Sequence, residues 1–443
     1  MSHYKPYPAY KDSGVEWLGK VPKQWEITKF GRLLKEPPCY GVLVPDFQDG
    51  GVPMLRITDM ENANLDKRAL TTISTELSQQ YTRTIVKSGD VVISVVGTIG
   101  KVFIVSPSLS GCNLSRAIAR IQVKPLFLSN FVCLIIGSAY FNRFVDLTCL
   151  GAAQRVLNMG DLSAFLIALP SIAEQAKIIA HIDRETTRID TLIAKKTRFI
   201  ELLKEKRQAL ITQAVTKGLN PNVKMKDSGV EWLGEVPEHW GVQAIKLIAS
   251  VGNGCTPNRE NKQYWENGFY PWLTSTLVNL NEVRKAEEFI TQVALDECSL
   301  PKIPPPAVLI GLTGQGRTRG MATTLYIEAT ISQHIAYIKP IKKHIEIEYL
   351  RSAMDSVYLF LRDESDGGGS TKGAVTCDQI KSLKIPIPPI NEQISIAEFI
   401  RESTERITSV TEKTQLSITL LKERRSALIT AAVTGQIDLR EAA

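Results

Sequence analysis

A block of nine residues occurs twice in this chain. Lys11-Asp12-Ser13-Gly14-Val15-Glu16-Trp17-Leu18-Gly19 returns unchanged as Lys226-Asp227-Ser228-Gly229-Val230-Glu231-Trp232-Leu233-Gly234, 215 residues on. A second copied stretch runs Leu202-Leu203-Lys204-Glu205-Lys206-Arg207, then Ala209-Leu210-Ile211-Thr212 and Ala214-Val215-Thr216. It returns at a shift of 218 as Leu420-Leu421-Lys422-Glu423-Arg424-Arg425, Ala427-Leu428-Ile429-Thr430 and Ala432-Val433-Thr434. The residues between these copies are much less alike. Shared framework with divergent inserts suggests one scaffold that presents two different surfaces.

The order along the chain reads A-B-A′-B′, and 443 residues allow about two to four domains. Segment A, about 27–165, is β-rich: Leu55-Arg56-Ile57-Thr58, Val91 to Val95, Lys101 to Val105 and Ala117 to Ile121 are β-branched runs. Gly89-Asp90 and Gly97-Thr98-Ile99-Gly100 punctuate them as turns. A helix around Asn130 to Phe144 is expected to pack on that sheet. Segment B, Glu174 to about Thr216, has neither Pro nor Gly and is rich in good helix formers. Its apolar seam is Ile182, Ile189, Leu203 and Leu210 at multiples of seven, interrupted by Lys196, with Leu192 and Phe199 expected at the intervening positions. Gly218 and Pro221 stop it. Segment A′, about 242–383, has β runs at Ala307 to Leu312 and Ile335 to Ile338. Segment B′, Glu392 to Thr434, repeats the seam as Ile400, Ile407, Thr414, Leu421 and Leu428.

Two heptad helices of matched length in one chain most simply pack on each other, and the domain between them favours an antiparallel pair. The expected fold class is α+β: two β-rich α/β domains separated by two long helices forming an antiparallel coiled coil, with a pseudo two-fold internal repeat. The expected boundaries are 1–169 for the first domain, 170–217 for the first helix, 218–389 for the second domain and 390–443 for the second helix. At ~1.5 Å per residue such helices are roughly 65 Å long. They would hold two modules apart by more than one turn of B-DNA, about 34 Å.

Composition narrows the class of function only slightly. Hydrophobic residues make up 44% and charged residues 22%, ordinary for a globular chain. The net charge of +7 leans mildly toward polyanions. Seven cysteines, with no CxxC pair, argue against a zinc ribbon or a disulfide framework and fit reduced thiols in the cytoplasm. No apolar signal core opens the sequence, and the most apolar window, Phe131 to Ile136, is too short to span a bilayer.

Candidate chemistry lies mainly in the divergent parts. The loop Gly311 to Gly320 carries Gln315, Arg317 and Arg319 among glycines, residues suited to bidentate reading of purine edges. A surface turn with solvated arginines accounts for it equally well. Its counterpart, Gly97 to Lys101, offers Thr98 and Lys101, and there an ordinary hairpin turn is the simpler reading. Arg155 and Lys372 fall in corresponding stretches, Gly151 to Arg155 and Gly369 to Gly373, and suit phosphate contact or a solvated basic turn. The five histidines show no metal-ligand spacing, and no GxSxG elbow or Walker motif is present. Glu36-Pro37-Pro38-Cys39-Tyr40 narrowly misses the (Asn/Asp)-Pro-Pro-aromatic motif of amino-methyltransferases, and the ends that differ are the chemically necessary ones. Catalysis, metal and cofactor are therefore expected to be absent. Trp17, Trp25, Trp232 and Trp240 could stack on bases, but their repetition favours framework packing.

Three elements together carry a resemblance: Asp-Ser-Gly-Val-Glu-Trp-Leu-Gly followed by Val-Pro and Trp; the helix starts at Pro170 to Gln175 and Pro389 to Gln393; and the helix end from Leu420 to Gly435. The chain resembles the specificity subunit of type I restriction-modification systems over essentially its whole length. The resemblance implies two target-recognition domains that each read half of a bipartite double-stranded DNA sequence. It implies helices that set the spacer and dock two methyltransferase subunits that modify adenine at N6, restriction subunits that join the complex, and no catalysis by this chain. Competing readings are a specificity subunit of a related methyltransferase or nuclease system lacking a restriction subunit, a divergent enzyme, and a coiled-coil adaptor without DNA.

Overall fold

A computed structural model describes residues 4–440 apart from 62–64, 126, 150–154, 315, 342 and 367–372. The chain divides into two compact units: Met1–Thr197 with Leu416–Ala443, and Arg198–Gln415. Each unit therefore contains one domain, half of one long helix and half of the other.

The long helices span Ile172–Lys217 and Ile390–Val433, 46 and 44 residues. They form because no Pro or Gly interrupts either run, and each ends at a glycine in the left-handed region, Gly218 (φ 75°) and Gly435 (φ 70°). A side chain there would be strained and would also collide: a Cβ on Gly218 would lie 3.0 Å from the Trp240 ring, and one on Gly435 would lie 2.3 Å from Pro22.

Within the first unit the two helices run antiparallel. Lys177 Nζ donates to the Arg440 carbonyl at 3.0 Å, and Arg425 pairs with Asp190 at 3.0 Å, so the numbers rise on one helix as they fall on the other. The second unit repeats the arrangement, with Ile211, Ala214 and Val215 sharing a core with Ile396, Ala397 and Ile400. Of the expected seam, Ile182, Ile189, Ile400 and Leu428 are buried, while Leu203, Leu210, Ile407 and Leu421 are half-buried. Leu192 and Phe199 correct the expectation: they are exposed, at 39% and 44%. The second row of the seam lies four residues after the first, at Thr186, Ile193, Ile200, Arg207 and Ala214, all buried or half-buried. It too returns 218 residues later, as Thr404, Thr411, Ile418, Arg425 and Ala432. A four-residue step keeps both rows facing the partner helix, whereas the longer apolar chains at 192 and 199 turn outward. Each fully buried Ile or Leu stabilises the pairing by about 2 kcal/mol.

The first domain is built on a four-stranded sheet, in the order Cys39–Tyr40, Ile118–Ile121, Val91–Ser94, Val102–Ile104. A smaller sheet joins Phe47–Leu55, Thr72–Ile73 and Asn113–Leu114. Only Leu55 of the expected Leu55 to Thr58 run is strand. Arg56 turns there, its N–H held by Asp59 Oδ2 at 2.8 Å. The single helix expected over 130–144 is two, Ser129–Ile136 and Ala139–Thr148, because Gly137 closes the first and Ser138 caps the second through the Phe141 N–H. Phe131, Ile135, Phe141 and Phe144 bury this pair in the core.

The second domain has a five-stranded sheet, ordered Ala249–Asn253, Ile335–Pro340, Ala307–Gly311, Ala322–Leu325, Glu282–Val283. Its smaller sheet joins Tyr270–Leu273, Glu288–Ile290 and Thr330–Ile331. Among the described residues no single helix is long and apolar enough to cross a membrane.

Candidate nucleic-acid interface

The repeated residues form joints between domain and helix. Glu174, near the start of the first long helix, accepts from Trp25 Nε1 at 3.1 Å and from the Tyr7 hydroxyl at 2.8 Å. Burial and that bond push the Tyr7 phenol well above its ordinary pKa, so it stays a neutral donor. In the other copy Glu392 accepts from Trp240 Nε1 at 3.0 Å and meets His239 Nε2 at 2.8 Å. The adjacent glutamines act as clamps. Gln175 donates to the Pro170 carbonyl and accepts from the Leu128 N–H; Gln393 donates to the Pro388 and His344 carbonyls and accepts from the Glu346 N–H. Trp25 and Trp240, at 0% and 1% exposure, thus belong to the framework and present no ring for stacking on bases.

The divergent residues gather elsewhere. In the first domain, strand register places Tyr40, Ile118, Ser94 and Val102 at one end of the main sheet. From that end project the segments 41–46, 115–117 and 95–101. The last two are tied to each other and to 155–157 by Val95 N–H to the Ala117 carbonyl (2.8 Å), Gly97 N–H to the Arg155 carbonyl (3.0 Å) and Leu157 N–H to the Val95 carbonyl (2.9 Å). Buried Ser94 pins the hairpin, donating to the Thr98 carbonyl at 2.6 Å and accepting from the Lys101 N–H at 2.9 Å. The Tyr40 hydroxyl, its pKa raised chiefly by burial, donates to the Leu157 carbonyl at 3.0 Å. Thr98, Lys101 and Arg155 are therefore neighbours at one sheet end. Thr98 and Arg155 are exposed, and Arg155 pairs with Asp146 at 2.6 Å.

The second domain uses the same end of its sheet, where Asn253 faces Ala336 and Gly311 faces Ile335. Segments 254–258, 312–321 and 332–334 project there. The Thr256 hydroxyl donates to Gln333 Oε1, Thr313 Oγ1 meets His334 Nδ1 at 2.9 Å, and the Leu312 N–H donates to the His334 carbonyl at 2.8 Å. The long loop is braced from behind: Arg362 donates to the Gly316 carbonyl at 2.6 Å and the Tyr358 hydroxyl to the Arg317 carbonyl at 3.1 Å. Arg317 is exposed. Arg319 differs from the expectation of an outward donor, since it is buried at 5% exposure. Gln315, Lys372 and the Gly151 to Gln154 stretch lie outside the described residues.

Reading the sequence missed Arg116 and the 41–46 segment in the first domain, and Gln333, His334, Tyr358 and Arg362 in the second. No local motif marks them; strand register alone brings them to the loop ends. The Glu36 to Tyr40 near miss is the edge of the main sheet, with Cys39 Sγ donating to the Arg83 carbonyl. Among the described residues no group of three His, Cys, Asp or Glu is placed to hold a metal.

A further feature is duplicated. Glu423, Ala427, Thr430 and Thr434, with Tyr4 and Ala139, line a groove of about 720 Å³ in the first unit. Their counterparts 218 residues earlier, Glu205, Ala209, Thr212 and Thr216, line one of about 740 Å³ with Leu359 in the second. Small residues on one helix face leave each groove open.

Residues 44–202 and 237–419 match the type I restriction modification DNA specificity domain family. The chain belongs to that family. The specificity subunit of the type I restriction enzyme EcoBI of Escherichia coli is 27% identical over 199 residues, 44% of this chain and 42% of that one. The EcoR124I/EcoR124II specificity subunit of the same organism is 26% identical over 246 residues, 55% and 54% of the two chains. The chain thus spans about half the length of these curated relatives. A chain solved in work on complex assembly and conformational transition of the type I R-M system superposes with a TM-score of 0.71 at 15% identity, covering 94% of this chain and 99% of that one. That likeness establishes a common fold.

Proposed function

We propose that this chain is the non-catalytic DNA-reading subunit of a type I restriction-modification assembly, each domain reading one half of a bipartite double-stranded target. The observation that carries the reading is positional. In both domains the unrepeated polar and basic loops project from the same end of the main sheet, while the repeated residues are consumed in joints and helix pairing. Thr98, Lys101 and Arg155 would serve the first half-site, and Gln315, Arg317 and Lys372 the second, with Arg319 shaping the loop. Arg155 and Lys372 suit phosphates, and Arg317 a base edge.

The partners follow from the duplicated groove. Two equivalent apolar-floored grooves at the helix ends fit two copies of one partner, the methyltransferase subunit, with restriction subunits joining the assembly; the setting is the cytoplasm. The chain brings no cofactor of its own. The helix pair would set the spacer between the half-sites.

Mapping of methylated adenines in cells with and without this gene tests the reading, and loss of a bipartite pattern on deletion is the expected result. Arg317→Ala should weaken or relax one half-site by ~1–3 kcal/mol and leave the other unchanged. An unchanged methylation map after gene deletion would remove the proposal.

A further inference from the structure

The 41–46 segment of the first domain and the residue after it are unlike anything at the matching end of the second. Leu43, Val44 and Phe47 are 55%, 77% and 55% exposed, three large apolar side chains within five residues. The equivalent 254–258 segment is Gly-Cys-Thr-Pro-Asn and carries no exposed large apolar side chain. Scattered surface apolar residues are normal, but a cluster on a projecting segment marks a contact.

The segment is firmly aimed. Val42, near its start, is buried, bridges Ser115 and donates its N–H to the Leu114 carbonyl at 2.7 Å. At its end the Asp46 carbonyl accepts from the Ser74 N–H at 3.2 Å. Ser115 immediately precedes exposed Arg116, and the Tyr40 hydroxyl reaches the Leu157 carbonyl, two residues from Arg155. The apolar cluster therefore lies beside Arg116 and leaves the same end of the main sheet as the segments that carry Lys101 and Arg155, the surface that faces nucleic acid in the proposed function. An apolar side chain has one specific partner on the edge of a base pair, the C5-methyl group of thymine in the major groove.

Resting on the DNA-reading function, we propose that Leu43, Val44 and Phe47 read thymine methyl groups in the half-site of the first domain. The two domains then discriminate by different chemistry: methyl contact in the first, hydrogen bonding from Thr256, Gln333 and the Arg317 loop in the second.

The test uses the chain assembled with its methyltransferase subunits and duplexes of the mapped target in which deoxyuridine replaces thymidine in one half-site at a time. Wild-type binding should weaken about fourfold for each contacted methyl lost, the Boltzmann factor of one buried methyl group, and in one half-site only. A Leu43→Ser/Val44→Ser/Phe47→Ser variant, altered only at exposed positions and so expected to fold, should bind the thymine and uracil duplexes alike while keeping selectivity for the other half-site. Equal wild-type binding to both duplexes, or undiminished discrimination by the variant, overturns the proposal. So does loss of methyltransferase binding by the variant with thymine discrimination intact, which would make the cluster a protein contact. Absence of any sequence preference in the wild-type assembly would instead strike the DNA-reading function itself.

Discussion

The two loop-bearing sheet ends occupy equivalent positions yet are built differently. In the first domain a short hairpin, 95–101, is fixed from inside by the hydroxyl of Ser94. In the second the longer 312–321 loop is fixed from behind by Tyr358 and Arg362. The domain-to-helix joints show the opposite behaviour: the Trp25–Glu174 bond returns as Trp240–Glu392, although Tyr7 completes the first joint and His239 the second. Each copy keeps its joint and replaces its bracing, so a surface can diverge without disturbing how it is carried.

The sharpest attempt to break this comparison removes the joints. Trp25→Ala and Trp240→Ala should each destabilise their unit by about 3–5 kcal/mol, since both rings are fully buried. Urea unfolding would measure this, and a large difference between the two would show that the matched geometry is not matched energetics. Next, Arg362→Ala frees the second loop without touching the first hairpin. Half-site selectivity of the second domain should fall by about 1 kcal/mol, the order of the ordering cost returned to binding, with the first half-site unchanged in a duplex-binding assay. The smallest effect concerns the helices. A double-mutant cycle on Asp190 and Arg425, both partly exposed, should return about 0.5 kcal/mol. The corresponding Arg207 has no such test, because position 408, which matches Asp190, is Thr.

Much of the framework is legible in the sequence because repetition and periodicity are local signals. The first helix starts two residues after the expected 170 and ends at the expected 217, where Gly218 stops it; the second starts at the expected 390 but ends at Val433, ten residues short of the expected 443, because Gly435 takes a left-handed turn. The seam is only half legible. Residues 182 and 189 are buried and 203 and 210 half-buried, but Leu192 and Phe199 attract the eye through hydrophobicity, while Thr186, Arg207 and Ala214 share the buried face without advertising it. The loop ends are less legible still. Arg317 and Arg319 are near-identical in sequence terms, yet one is exposed and the other buried, a difference set by the turn of a single loop. Gln333 and Thr256 lie far apart in sequence, and only the pairing of Asn253 with Ala336 makes them neighbours.

The packing of residues 416–440 into the first unit has a consequence for synthesis. Gln436 Nε2 bonds the Lys20 carbonyl, the Asp438 N–H bonds the Lys5 carbonyl, and Leu439 is 1% exposed. The unit that begins first on the ribosome is therefore the one that must wait: Tyr7, Val21 and Trp25 lack their covering until Gly435 and Leu439 emerge. Residues 198–415 are contiguous and are all available earlier. The second unit has its whole sequence available first and can complete its core while the first is still open.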